Sequence, residues 1–263
     1  MNLQQGAIIL SIAIPFLFNS AVSAQSQANT ASATSLLDLG RIQLANGNFD
    51  EAIKHINNAL ILNPNYSLAY IGRGIAYESK GDLDKALADY DAAIRLNPTD
   101  AGGYAMRGLV FNTMGDLEKA MADCREAIKL GPRLWLAYNA RAQVYYKKAD
   151  YDNAYTDLVK AIELNPKDPL AYNIMAGWLS THPDANMRDG KKAVGYANRA
   201  CELSGWKNMA YIDTLAAAHA ENGNFKEAVR WATKVLESNP SDQGFRERLS
   251  LYEKQIPYRI QIK

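Results

Sequence analysis

Arginine and aspartate recur together three times in this chain at one separation: Arg73 with Asp89, Arg107 with Asp123, and Arg141 with Asp157. Elsewhere in the same two columns stand Leu39 with His55, Met175 with Tyr196 and Leu215 with Trp231, so the charges come and go as a pair. A row of guanidinium groups could hold an acidic ligand through bidentate hydrogen bonds. Arginines that appear only where an aspartate also appears are expected instead to be spent on it, in structural, partly buried ion pairs. Other chemistry is sparse. The sequence has no phosphate-binding loop, no Gly-x-Ser-x-Gly, no His-Glu-x-x-His and no Cys-x-x-Cys. Gly72-Arg73-Gly74 is only a fragment of a dinucleotide fingerprint, and His55, His182 and His219 lack the spacing of metal ligands. No catalytic residue, metal site or cofactor is expected, and hence no enzyme. Cys124 and Cys201 read as buried free thiols rather than a disulfide.

These pairs lie within a longer repeat. Pro64, Pro98, Pro132 and Pro166 fall every 34 residues, a period that marks a repeat architecture. Gly40, Gly74, Gly108 and Ala142 keep the same beat, as do Ala52, Ala86, Ala120, Ala154 and Ala59, Ala93, Ala127, Ala161. The beat slips in the fifth unit, where Ala176 is followed by Ala193 after five extra residues, and resumes with Ala216, Ala228 and Pro240. Within a unit, Tyr70, Gly74 and Tyr77 share one helical face. Gly81 ends that helix in a left-handed turn, and Asp82 is placed to cap the next. Ala86, Tyr90, Ala93 and Leu96 line the second helix, which stops at Asn97-Pro98 because the residue before proline avoids helical angles. Gly47-Asn48, Gly115-Asp116 and Gly223-Asn224 repeat the punctuation, with Ala149-Asp150 the departure. Each unit is therefore a helical hairpin.

These columns resemble the tetratricopeptide repeat (TPR). The second unit supplies Tyr70, Gly74, Tyr77, Ala86, Tyr90, Ala93 and Pro98; the third Tyr104, Gly108, Phe111, Ala120, Cys124, Ala127 and Pro132; the fourth Tyr138, Ala142, Tyr145, Ala154, Leu158, Ala161 and Pro166. Gln43, Leu179 and His219 depart from the pattern in the other units. The resemblance implies an all-α, right-handed superhelical solenoid of about six TPR hairpins with a C-terminal capping helix. The array is expected over residues 35–240, in units near 33–66, 67–100, 101–134, 135–168, 169–208 and 209–240, with the cap at 241–256 and a tail at 257–263. The segment Thr181–Asp189 is expected as an inserted loop, a structural variant rather than a dedicated site.

By analogy with the family, the first helices line a concave groove, drawn here from Leu37, Arg41, Ile75, Glu78, Asn112, Asn139, Gln143, Tyr146, Asn173 and Asp213. Side-chain amides suit that place, since they can bond to the backbone of an extended peptide without demanding its sequence. A Lys/Asn clamp for a C-terminal carboxylate is not matched. Ahead of the array, Ala7–Phe18 is an apolar run too short to span a bilayer, and Val22-Ser23-Ala24 suits signal peptidase. Residues 1–24 are therefore expected as a signal peptide, with an uncleaved inner-membrane anchor as the alternative, and 25–34 as a flexible leader. A net charge of +1 gives no electrostatic reason to bind nucleic acid. The expectation is a periplasmic or secreted bacterial scaffold that binds a protein or peptide, with no membrane insertion once the signal is removed. A structural subunit of an envelope or secretion assembly, using its convex face and termini, is the alternative.

Overall fold

The structure, a computed structural model, describes residues 28–260. The expected signal peptide lies outside the described residues. Thirteen helices follow, with no strand among the described residues: α1 (28–45), α2 (Phe49–Leu62), α3 (Ser67–Ser79), α4 (Leu83–Leu96), α5 (Ala101–Met114), α6 (Leu117–Leu130), α7 (Trp135–Lys147), α8 (Tyr151–Leu164), α9 (Pro169–Thr181), α10 (Gly190–Leu203), α11 (Met209–Glu221), α12 (Phe225–Ser238) and α13 (Gln243–Glu253). The chain divides into two compact units between Pro132 and Arg133. The first contains the hairpins α1/α2, α3/α4 and α5/α6. The second contains α7/α8, α9/α10 and α11/α12, closed by α13.

One register organises the hairpins. A residue of the first helix faces the residue sixteen positions later in the second, and the small column exists because these sites leave no room. A β-carbon on Gly40 would stand 2.6 Å from Ile56 Cγ1, and one on Gly74 would stand 2.6 Å from the Tyr90 ring. Gly108 similarly abuts Cys124, 3.2 Å from Sγ. The bulky residue thus packs first on its own hairpin, and Tyr90 then reaches Val110 of the next. In the second unit, Ala142, Leu158, Ala161, Ala171 and Met175 form one shared core between adjacent hairpins. Where the Arg/Asp pair is missing, Leu215 and Trp231 join a common apolar cluster, and Met175 and Tyr196 another.

The punctuation also has a physical cause. Gly47, Gly81, Gly115 and Gly223 all take positive φ between 75° and 86°, and Ala149 takes 58° in the departing unit. Asn63, Asn97 and Asn165 return their N–H groups to Ala59, Ala93 and Ala161, and the proline that follows prevents another turn. Tyr70 and Tyr172 donate their hydroxyls to the carbonyls of Pro64 and Pro166, tying the first helix to the turn before it. Asp116, Asp150 and Asn224 cap their helices, accepting from Lys119, Asn153 and Glu227 N–H. Asp82 does not cap α4. Its carboxylate goes instead to the Lys85 ammonium, 2.5 Å away.

Two ends differ from expectation. Residues 28–34 are helical, not a leader, because Ala33 lies one turn before Leu37 and both are wholly buried. The cap helix ends at Glu253, short of residue 256, where Gln255 enters a left-handed turn at φ 58° and sends the chain back across the second unit.

Neither Cys124 nor Cys201 is in a disulfide, and both are buried. Burial pushes the Cys201 thiol up to about 11, and a thiol that stays protonated is a poor nucleophile. Ellman's reagent at pH 8 is therefore expected to find neither thiol in the folded chain and both in guanidinium chloride. Rapid labelling of the native protein would contradict this packing.

Candidate functional site

The three arginines of the repeat columns are spent. Arg73 Nε and Nη2 donate to the two carboxylate oxygens of Asp89 at 2.9 and 2.7 Å. Arg107 holds Asp123 in the same fork at 2.8 Å for both bonds, and Arg141 holds Asp157 at 2.7 and 2.9 Å. Each aspartate is buried, and each guanidinium also lies 5.4–5.7 Å from the centre of a column tyrosine, Tyr70, Tyr104 or Tyr138. Sequence reading missed the third bond. Arg73 Nη1 donates to Asn57 Oδ1, and Arg107 Nη1 to Asp91 Oδ1, each at 2.6 Å. Counting sixteen residues backwards from the arginine would have found both acceptors. Arg73 and Arg107 thus each join their own hairpin to the preceding one. The bond to Asp123, then that to Asp91, holds the Arg107 guanidinium pKa above its ordinary value.

The groove residues fall into three groups. Leu37, Asn112 and Asn139, expected on an accessible face, are buried. Leu37 packs among Ile56, Leu60 and Ala69. Its column is a seam, since Ala105 and Asn139 at the equivalent places are also fully enclosed. A second group is accessible but engaged. Glu78 accepts from the Tyr90 hydroxyl at 2.9 Å, and burial raises its pKa against that bond. Asp213 pairs with Arg248 of the cap helix at 2.9 Å; burial raises its pKa and the arginine opposes the rise. Arg41 meets Asp38, and both are exposed. Tyr146 stacks on Trp178 with ring centroids 4.3 Å apart and meets Tyr151 and His182 edge-on; burial pushes its phenol up to about 12. Ile75 leans on the core of its hairpin. Gln143 and Asn173 are half-buried.

In the second unit the stripe continues beyond the expected residues. Gly177 and Thr181 extend the Asn173 face of α9, and Ala217 extends the Asp213 face of α11. Asn139 and Asn173 occupy equivalent places one repeat apart, and neither amide atom of Asn139 nor the Asn173 side-chain oxygen meets a hydrogen-bonding partner. A hollow of about 460 Å³ lies elsewhere, between Tyr138 of α7 and the face of α8 bearing Lys160 and Glu163. Its charges cancel, Arg141 against Asp157 and Lys160 against Glu163.

The inserted loop is compact. After His182 comes a single 3-10 turn, Ala185–Met187, and Arg188 then donates to Glu221 Oε1 and to the carbonyls of His182 and Pro183. His182 is buried, with Nδ1 accepting from Asp184 N–H at 3.0 Å, so the loop presents no exposed imidazole. Among the described residues no cluster of three or more His, Cys, Asp or Glu could hold a metal ion, and no helix is long and apolar enough to cross a membrane.

Four segments, residues 37–101, 101–133, 135–168 and 209–239, match sequence profiles of the tetratricopeptide repeat. The chain is built from tetratricopeptide repeats. The matches omit only the unit carrying the insertion, whose longer turn breaks the 34-residue frame. No curated protein matches the TPR chain at a significant level. Similar solved structures include the Cut9–Hcn1 hetero-tetramer of the APC/C, at 17% identity and a TM-score of 0.72 over 89% of this chain and 46% of that one. PilF of Pseudomonas aeruginosa is similar at 17% identity and 0.60, over 84% and 97% of the two chains. Yeast Tom70 follows at 21% and 0.59, over 91% and 50%. The TPR chain thus spans about half the length of the Cut9–Hcn1 and Tom70 chains, and the likeness to all three is one of fold.

Proposed function

We propose that this TPR chain is a non-catalytic scaffold, exported from a bacterial cell, that holds an extended segment of a partner protein along its first-helix face. The observation that carries the reading is an unspent amide on the first-helix face. Elsewhere the repeat columns are filled by packing or by paired charge, yet half-buried Asn173 keeps a side-chain oxygen without a partner. Such a group costs about 1–3 kcal/mol, and a bound peptide backbone offers the alternating donors and acceptors that would satisfy it. The fold supports the broader half of the reading, since a chain of this architecture is found in the Cut9–Hcn1 hetero-tetramer. Export rests on the character of residues 1–24.

The test is affinity capture from envelope extract with residues 25–263 and with a Gln143→Ala/Asn173→Ala variant whose circular dichroism is unchanged. A partner held by the parent and lost by the variant supports the groove. A partner held equally by both moves the interface to the convex face or termini, and with it the function to a structural subunit.

A further inference from the structure

Residues 256–260 lie on the first-helix stripe of the last hairpins. Beyond the left-handed turn at Gln255, Ile256 returns its N–H to Leu251. Tyr258 then packs under Arg248, 5.6 Å from the guanidinium carbon, and against the cluster that contains Ala217 and Tyr252. Arg259 Nη1 donates to Ser180 O at 3.3 Å, and its guanidinium pairs with Glu221. Ile260 N–H donates to Thr181 O at 3.0 Å. Ser180 and Thr181 are the last residues of α9, and helix-terminal carbonyls have no acceptor role left within the helix and carry its negative dipole end. The inserted loop leaves these two carbonyls to the tail. The tail does not fill the face: a cavity of about 170 Å³ remains beside it, bordered by Gly177, Thr214, Ala217 and Tyr258.

We propose that Tyr258-Arg259-Ile260 is a resident competitor for this face. The C-terminal halves of α9 and α11 form a site for an extended peptide of aromatic–basic–aliphatic pattern, and the tail must leave before a partner's segment enters. The inference rests on the groove reading above and names the ligand chemistry and its control. Each contact has a matching requirement. The two α9 carbonyls call for an N–H and a cation, Glu221 calls for the same cation, and Arg248 calls for an aromatic face. The tail is only half-buried and held by a few polar contacts, the class of segment that opens locally at little cost. Tethering keeps its effective concentration near the millimolar range, so a free peptide meets a strong competitor.

The probe is a fluorescein-labelled synthetic peptide of residues 256–263, followed by anisotropy. It is offered to the full chain and to a full-length Arg259→Glu/Ile260→Pro variant, which loses the cation and the N–H but keeps every helix. Binding to the variant about tenfold or more tighter than to the parent is expected, and a peptide carrying the same two changes should not bind. Equal binding to both chains, or none to a variant that remains folded by circular dichroism, overturns the proposal. Should the double variant unfold, Arg259→Glu alone must still tighten binding. The groove reading fails separately: partner capture indifferent to Gln143→Ala/Asn173→Ala sinks it even where the peptide binds, and capture that depends on those residues survives a peptide that does not.

Discussion

Replacing Arg107 by alanine is expected to lower the melting temperature by about 6–10 °C, corresponding to about 3 kcal/mol in a chain of this length. The cost comes from what the arginine leaves behind. Asp123 is 9% exposed in its side chain and receives both fork bonds from Arg107, so its carboxylate would remain buried with its cation gone. Asp91, the other partner, is 55% exposed and can return to water. Two controls separate this account from a general effect of losing charge. Arg41→Ala removes an exposed cation paired with an exposed Asp38, and should cost about 0–0.5 kcal/mol. Arg107→Met with Asp123→Leu removes both charges and keeps the volume, and should recover most of the loss, because well-packed apolar pairs replace buried ion pairs at little cost. Thermal melts followed by circular dichroism measure all three. A single variant that melts with the parent would show that water already reaches Asp123.

The same sixteen-residue offset explains why so much of the fold is visible in the sequence. Glycine at 40, 74 and 108 is dictated by contact with Ile56, Tyr90 and Cys124, so packing writes itself into residue type at a fixed separation. Arg and Asp occupy the neighbouring position in that register and must appear together or be replaced together. Positions outside the hairpin register are harder to read. Leu37 and Asn139 are expected on an open face by analogy with the family, but the analogy gives direction around a helix and not the depth at which a neighbouring helix covers it. Asn112 fails for the same reason. Residues 28–34 have the composition of a leader, yet Ala33 repeats the helical spacing to Leu37 and is enclosed with it. The docked tail had no local signal. It depends on the chain reversal at Gln255 and on carbonyls freed at the end of α9, both consequences of tertiary structure rather than of any motif in residues 256–260.

Gly190→Ala is the second large effect, and it tests the inserted loop rather than the repeat. Gly190 opens α10 directly against the end of α11: a β-carbon there would stand 2.6 Å from Asn222 N, and 2.7 Å from Asn222 Cα and the Glu221 carbonyl carbon. These are backbone atoms of a helix terminus, so no rotamer change can relieve the clash. The residues just before the glycine are also tied down, to α11, to α9 and to α10 itself. Asp189 gives its N–H to Leu179 O at 2.9 Å and accepts from Lys192 N–H, while Arg188 reaches Glu221. Relief therefore requires α10 to withdraw from α11, breaking the Arg188–Glu221 pair, and the expected loss is about 3 kcal/mol, the upper end for overpacking. Gly195 on the same helix is the matched control, since a β-carbon there meets nothing within 4 Å. Gly195→Ala should stabilise the chain by about 0.5–1 kcal/mol through helix propensity alone. Opposite signs in a chemical denaturation series would establish that the contact, and not the intrinsic preference of α10, places glycine at position 190. If both variants gained stability, the loop would not be clamped to α11 in solution, and the carbonyls that hold Arg259 and Ile260 would lose the geometry that presents them.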